Sequence, residues 1–121
     1  MNLVGEIIKV VKEVAKITGY EVNVRDNTIV LSSSDSPLKL EIKVSDSNVE
    51  FNLIYEGLEE YIEDLIDSGE DVRESIEYEV ADIKNIAMYI KSKLSSRGIR
   101  IFDRVKEAEL DIYDIVEEHL I

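Results

Sequence analysis

The sequence predicts an α+β fold with an N-terminal helix, a four-stranded antiparallel meander, and then two or three helices packed on one face of the sheet. The spacing of apolar residues is helical at first, alternates between residues 20 and 55, and is helical again from residue 57. Short polar segments separate the alternating runs, which favours antiparallel neighbours. Because the 121 residues are 45 % hydrophobic, we expect one domain with its own core over residues 1–121.

Residues 2–18 are expected to form the first helix. Asn2 is a suitable N-cap, and Gly19 stands where a helix commonly ends on a left-handed residue. The apolar residues recur at helical spacing: Leu3, Ile7, Val10, Val11, Val14 and Ile17. One side of this helix should therefore be buried.

Four alternating runs follow, over residues 20–24, 29–31, 38–44 and 49–55. In the third, the apolar residues from Leu38 to Val44 alternate with charged ones. Each run is apolar on one side and mostly polar on the other. We therefore expect one face of the sheet to pack on helices and the other to face water.

Helical spacing returns in a short segment after Gly57, which Ser68 and Gly69 interrupt. A long helix is expected from about Glu70 to about Ser95, with Gly98 as a C-cap. For the last segment, both a strand and a helix fit residues near 99–102. We predict a short extended piece at 99–102 and then a helix from about Arg104 to His119.

The long helix carries a heptad-like apolar seam, for which there are two explanations. The seam can pack on the sheet of the same chain. Alternatively, a helix of 26 residues is about 39 Å long, whereas a strand spans only about 20 Å, so that the excess would project, bend or meet a second chain. On the second explanation we expect a homodimer whose interface is Ile83, Ile86, Ala87, Tyr89, Ile90 and Leu94.

Charge is unevenly distributed along the chain, whose net charge is −13. Residues 56–82 hold 12 acidic and 1 basic side chains, residues 83–106 hold 1 acidic and 7 basic, and residues 107–121 hold 6 acidic and none basic. These blocks can neutralise each other, with the acidic tail lying beside residues 84–106. Alternatively, the first acidic block binds a basic protein partner. For that we predict the contact residues Glu59, Glu60, Glu63, Asp64, Asp67, Glu70 and Asp71.

Residues suited to catalysis or metal binding are scarce. The chain has no cysteine, and its one histidine, His119, stands two residues from the end of the sequence. No glycine-rich phosphate loop is present. A divalent cation site built from Glu60, Asp64, Asp67 and Asp71 is an alternative, but these residues lack the spacing of a calcium-binding loop. We therefore expect a non-catalytic protein with no catalytic residues, no metal and no cofactor.

Composition also bears on location. The first residues have no basic segment of a signal peptide, and no apolar run has the length of about 20 residues that spans a membrane, so we expect a cytoplasmic protein. The negative charge opposes direct contact with nucleic acids and anionic membranes. The absence of Gln and Trp beside abundant Ile, Val, Glu and Lys is typical of thermophilic proteins, although an AT-rich genome also enriches Ile and Lys.

The order of one helix, four strands and further helices in a small acidic chain resembles the secretion chaperones, in element order alone. Our first hypothesis is therefore a homodimeric adaptor or chaperone-like module that binds a basic protein. The alternatives are an acidic nucleic-acid mimic that inhibits a DNA- or RNA-binding enzyme, against which the basic block at 83–106 argues, and a small-molecule enzyme or sensor.

Overall fold

The computed structural model describes residues 3–94 and 98–121. The elements follow the chain in this order: α1 (Leu3–Thr18), β1 (Glu21–Arg25), β2 (Thr28–Ser32), β3 (Lys39–Ser45), β4 (Asn48–Ile54), α2 (Leu58–Asp67), α3 (Val72–Leu94), β5 (Arg100–Asp103) and α4 (Val105–Leu120). Gly19 ends α1 at a φ of 81°, as predicted, and its amide donates to the carbonyl of Ala15. The predicted N-cap Asn2 and the predicted last helical residue Ser95 lie outside the described residues.

The sheet has five strands in the order β1-β2-β3-β4-β5. The first four are antiparallel neighbours, whereas β5 pairs in parallel with β4, with Arg100 opposite Asn48 and Asp103 opposite Phe51. Backbone bonds from Arg100 to Ser47 and from Arg104 to Phe51, both 2.9 Å, hold the ends of β5. The sheet is therefore mixed, and the predicted four-stranded antiparallel meander is wrong in this respect.

The alternation seen in the sequence decides which face of the sheet is buried. In β3 and β4 every second side chain is buried, from Leu40 to Val44 and from Val49 to Leu53. The helices cover this face, with α1 against β1 and β2, α3 against β3, and α4 against β4. Side chains on the other face are exposed, as Lys43 and Phe102 are, or half-buried, so that this face of the sheet is largely open.

Buried residues occur along the whole length of α3, and most of the residues predicted for a dimer interface are among them. Its buried residues run from Val72 to Leu94, and it contacts α1, α2, α4 and β3. Five of the six predicted interface residues, all except Tyr89, are at most 5 % exposed in the single chain: Ile83, Ile86, Ala87, Ile90 and Leu94. The heptad seam is therefore part of the core, because three helices as well as the sheet surround α3. Tyr89 is 40 % exposed.

Within residues 3–94 and 98–121, no helix combines the length and the apolar character needed to cross a lipid bilayer.

Candidate functional site

The short helix α2 presents a row of carboxylates because its apolar residues all occupy one side. Leu58, Ile62 and Leu65 are buried, whereas the acidic residues between and after them are exposed. Gly57 precedes the helix with a φ of 77°, a left-handed conformation that lets the chain turn sharply from β4 into α2. The buried side fixes α2 on the core, and its opposite side is left to solvent.

The link from α2 to α3 continues the acidic row. Gly69, at a φ of 74°, donates its amide to the carbonyl of Ile66, and the amide of Glu70 bonds to Leu65 at 3.0 Å, which closes the end of α2. Asp71 then caps α3, since its Oδ1 accepts a bond of 3.1 Å from the backbone amide of Glu74. Two tightly bonded helix ends therefore hold the link in place.

We call the nine exposed acidic side chains of this region the acidic surface. It consists of Glu59, Glu60, Glu63, Asp64, Asp67, Glu70, Asp71, Glu74 and Glu77. All seven residues that the sequence predicted for partner binding belong to it. The structure places five of them on α2 and two in the link, and it adds two from the first half of α3.

The acidic surface is not neutralised by the described part of the chain. Among residues 3–94 and 98–121, no basic nitrogen lies within 4 Å of any of its carboxylates. Arg73, the one basic residue in this stretch, instead forms a two-pronged pair with Glu117 of α4, at 2.8 and 2.9 Å. The mutual neutralisation considered from the sequence therefore does not extend to this surface.

Three basic residues in the block at 83–106 form ion pairs with acids outside the acidic surface. Lys84 pairs with Glu109 at 3.0 Å, and Arg104 pairs with Glu50 at 2.9 Å. Lys91 pairs with Asp103. The acidic tail, residues 107–121, thus meets the basic block at Lys84, as the neutralisation alternative predicts. Its later part instead lies beside the start of α3, where Glu117 pairs with Arg73.

A groove lies between α2 and α3 within the acidic surface. The groove is open to solvent and has a volume of about 460 Å³. Two tyrosines and four carboxylates line it: Tyr61, Tyr78, Glu70, Asp71, Glu74 and Glu79. Tyr78 is 71 % exposed. Aromatic faces beside carboxylates form a suitable site for a guanidinium or ammonium group.

Burial and neighbouring charges raise the pKa values of two groups that line the groove. Burial raises the pKa of Glu79, and the neighbouring charges of Asp82 and Asp35 raise it further, while the hydroxyls of Ser36 and Tyr61 act in the opposite direction. The pKa of Tyr61 is raised as well, first by burial and then by Glu79 and Glu70. A bound cation would relieve this crowding of negative charge.

Sequence reasoning found the carboxylates but not the tyrosines. The helical spacing of the sequence places Tyr61 with the apolar residues of α2, and a tyrosine such as Tyr78 is expected to be half-buried in the core. Only the packing of α2 against α3 shows that the two rings line one groove. A tyrosine flanked by Glu77 and Glu79, outside the heptad-like seam, was the available indication in the sequence.

The histidine and the acidic clusters form no metal-binding group in the described part of the chain. His119 donates its Nδ1 proton to the carbonyl of Ile115, 3.0 Å away, within its own helix. Among residues 3–94 and 98–121, no group of three or more acidic or histidine side chains is arranged to hold a metal ion, and Glu60, Asp64, Asp67 and Asp71 form no such group.

Comparison with protein families, with curated proteins and with solved structures finds no match to this chain.

Proposed function

We propose that this chain is a non-catalytic binding module whose acidic surface binds a basic segment of a protein partner. The observation that carries the proposal is the contrast in pairing. Within the described residues, the nine carboxylates of the acidic surface have no basic neighbour within 4 Å, whereas Lys84, Lys91 and Arg104 each have an acidic partner. A cluster of like charges concentrates negative potential at one place on the surface, and this potential attracts an oppositely charged ligand.

The groove adds specificity to this charge. A lysine or arginine side chain entering it would lie against the ring of Tyr78 and within reach of the carboxylates of Glu74 and Glu79. Tyrosine is among the residues that most often dominate binding energy at protein interfaces. Long-range attraction to the acidic surface would steer a basic segment, and the groove would hold it.

The proposal is tested by calorimetric titration with an oligo-arginine peptide as the probe. One triple variant neutralises acids of α2, through Glu59→Gln, Glu63→Gln and Asp67→Asn. A control variant makes the same change in net charge at exposed acids outside the acidic surface, through Glu13→Gln, Asp26→Asn and Asp46→Asn. The α2 variant should weaken binding about tenfold, because each exposed ion pair contributes up to about 1 kcal/mol.

The control variant should bind nearly as well as the unchanged chain, and affinity should fall steeply with added salt, since exposed charges are screened. Equal weakening by both triple variants would mean that the peptide responds only to net charge, and the proposed binding surface would then be wrong. Tyr78→Ala should also weaken binding while leaving stability almost unchanged, because the ring is largely exposed.

A further inference from the structure

The strand β1 is an unprotected edge of the sheet. It pairs along all five residues with β2 and, among the described strands, with no other. The register is continuous, without a bulge, and the strand contains no proline. Its outer side thus offers backbone N–H and C=O groups to another strand, and Val24 is 40 % exposed beside them.

The sequence of β1 is complementary to its own reverse about the central residue, Asn23. Val22 lies opposite Leu31 and Val24 opposite Ile29, so both valines lie on the face that the helices cover. Glu21 and Arg25, at equal distances on either side of Asn23, lie on the open face. An acid, an apolar residue, an amide, an apolar residue and a base therefore follow one another.

We propose that a second copy of this chain adds its β1 antiparallel to β1, about a two-fold axis through Asn23. Each Glu21 then lies opposite the partner's Arg25 on the open face, and each Val22 lies opposite the partner's Val24 on the helix-covered face. Two ion pairs and two apolar pairs form at once, and the two sheets become one continuous ten-stranded sheet. Opposed side chains on antiparallel strands stand about 5 Å apart, which suits both kinds of pair.

The same charges select this register. Sliding the partner strand by two residues leaves at least one of Glu21 and Arg25 without its opposite charge. Sliding it by one residue places valines opposite charged residues and moves the helices of the two copies to opposite faces. The pairing about Asn23 is the register in which every side chain of β1 meets a complementary one.

At the β1 edge, two chains of net charge −13 can meet with little local repulsion. Residues 1–32, which form α1, β1 and β2, contain four acidic and four basic side chains. By contrast, residues 56–82 and 107–121 contain 18 of the 27 acidic side chains, and α4 lies against β4, three strands away from β1. None of the nine residues of the acidic surface belongs to β1, so this inference does not depend on the proposed function.

A cysteine cross-link tests the two-fold axis, and the chain has no cysteine of its own. In Asn23→Cys the two introduced thiols would face each other at about 5 Å between Cα atoms, which suits a disulfide. The control is Val30→Cys, which lies opposite Asn23 one strand further in, so its two thiols would be about 14 Å apart. Under mild oxidation we expect a covalent dimer from Asn23→Cys only. Equal cross-linking of both variants, or of neither, would overturn the proposal.

A charge exchange measured by sedimentation equilibrium tests the ion pairs. Glu21→Arg alone and Arg25→Glu alone each create like-charged pairs and should weaken the dimer by about tenfold or more. Mixing the two variants restores both ion pairs and should restore the dimer. Lys39→Glu, an equal charge change on the open face of β3, is the control and should leave the dimer intact.

Three results would contradict the proposed β1 dimer. The unchanged chain could be monomeric, the single variants could dimerise as well as Lys39→Glu, or the mixture could remain monomeric. Circular dichroism of each variant confirms that the comparison is made between folded chains.

Discussion

Asp71 belongs to the acidic surface, yet it also has a structural role that its neighbours do not share. Its carboxylate accepts the bond from the amide of Glu74 that caps α3. Removing this carboxylate therefore changes both the charge of the surface and the stability of the helix. A binding study that replaced Asp71 by alanine would confuse these two effects.

We expect Asp71→Ala to lower the free energy of unfolding by about 1 kcal/mol, since that is the usual cost of losing an N-cap side chain. Asp71→Asn keeps a cap oxygen and should retain most of the stability while removing the charge. Urea denaturation of both variants measures the difference. If both lost the same stability, the cap would not be the cause.

Residue identity predicted the carboxylates of the surface well, because acids on the polar side of a helix are rarely drawn into the core. It predicted the tyrosines poorly, because a tyrosine suits the core and the surface alike. Tyr20 and Tyr78 illustrate this ambiguity. The hydroxyl of Tyr20 donates to Asp82 at 3.2 Å and its ring is buried, whereas Tyr78 is largely exposed.

At the scale of elements, α3 shows how a periodic pattern can have two explanations. Its heptad-like seam fits a coiled-coil contact between chains as well as a helix surrounded by others in one chain. The structure has the second arrangement, since α1, α2, α4 and the sheet together cover the helix. Spacing along one helix carries no information on which element fills the other side of the contact.

Ile90→Ala tests this placement of α3. Ile90 is fully buried, so we expect a loss of about 2–5 kcal/mol in the free energy of unfolding, from lost burial and from the cavity left behind. Met88, two residues earlier, is 61 % exposed, and Met88→Ala should cost less than about 0.5 kcal/mol. Similar small losses in both variants would contradict the burial of the seam in the single chain.

The sequence predicts a short extended piece at residues 99–102, close to the observed bounds of β5. It does not predict the strand with which β5 pairs. Antiparallel neighbours joined by short turns can be inferred from sequence, because the turn residues lie beside the strands. A parallel pair joined through α2 and α3 leaves no such local mark. Four residues with two apolar side chains, Ile101 and Phe102, do not specify where they pair.

For the whole molecule, composition predicts the excess of negative charge. Composition does not predict where on the surface the unpaired acidic side chains lie. The sequence places the acids in two blocks, but the fold decides which of them meet bases. It brings Arg73 to Glu117 and Lys84 to Glu109, and it leaves α2 without a basic neighbour in the described residues. The blocks in the sequence are compatible with neutralisation and also with binding.

The most direct test of the proposed acidic binding surface is to map where a basic ligand contacts the chain. Amide chemical shifts in heteronuclear NMR spectra would be followed while an oligo-arginine peptide is added at low salt. The account predicts that the shifts concentrate in residues 58–79, with Tyr78 and its neighbours among the most affected and the effect lost at high salt. Shifts centred on α4 or on the open face of the sheet, with residues 58–79 unchanged, would contradict it.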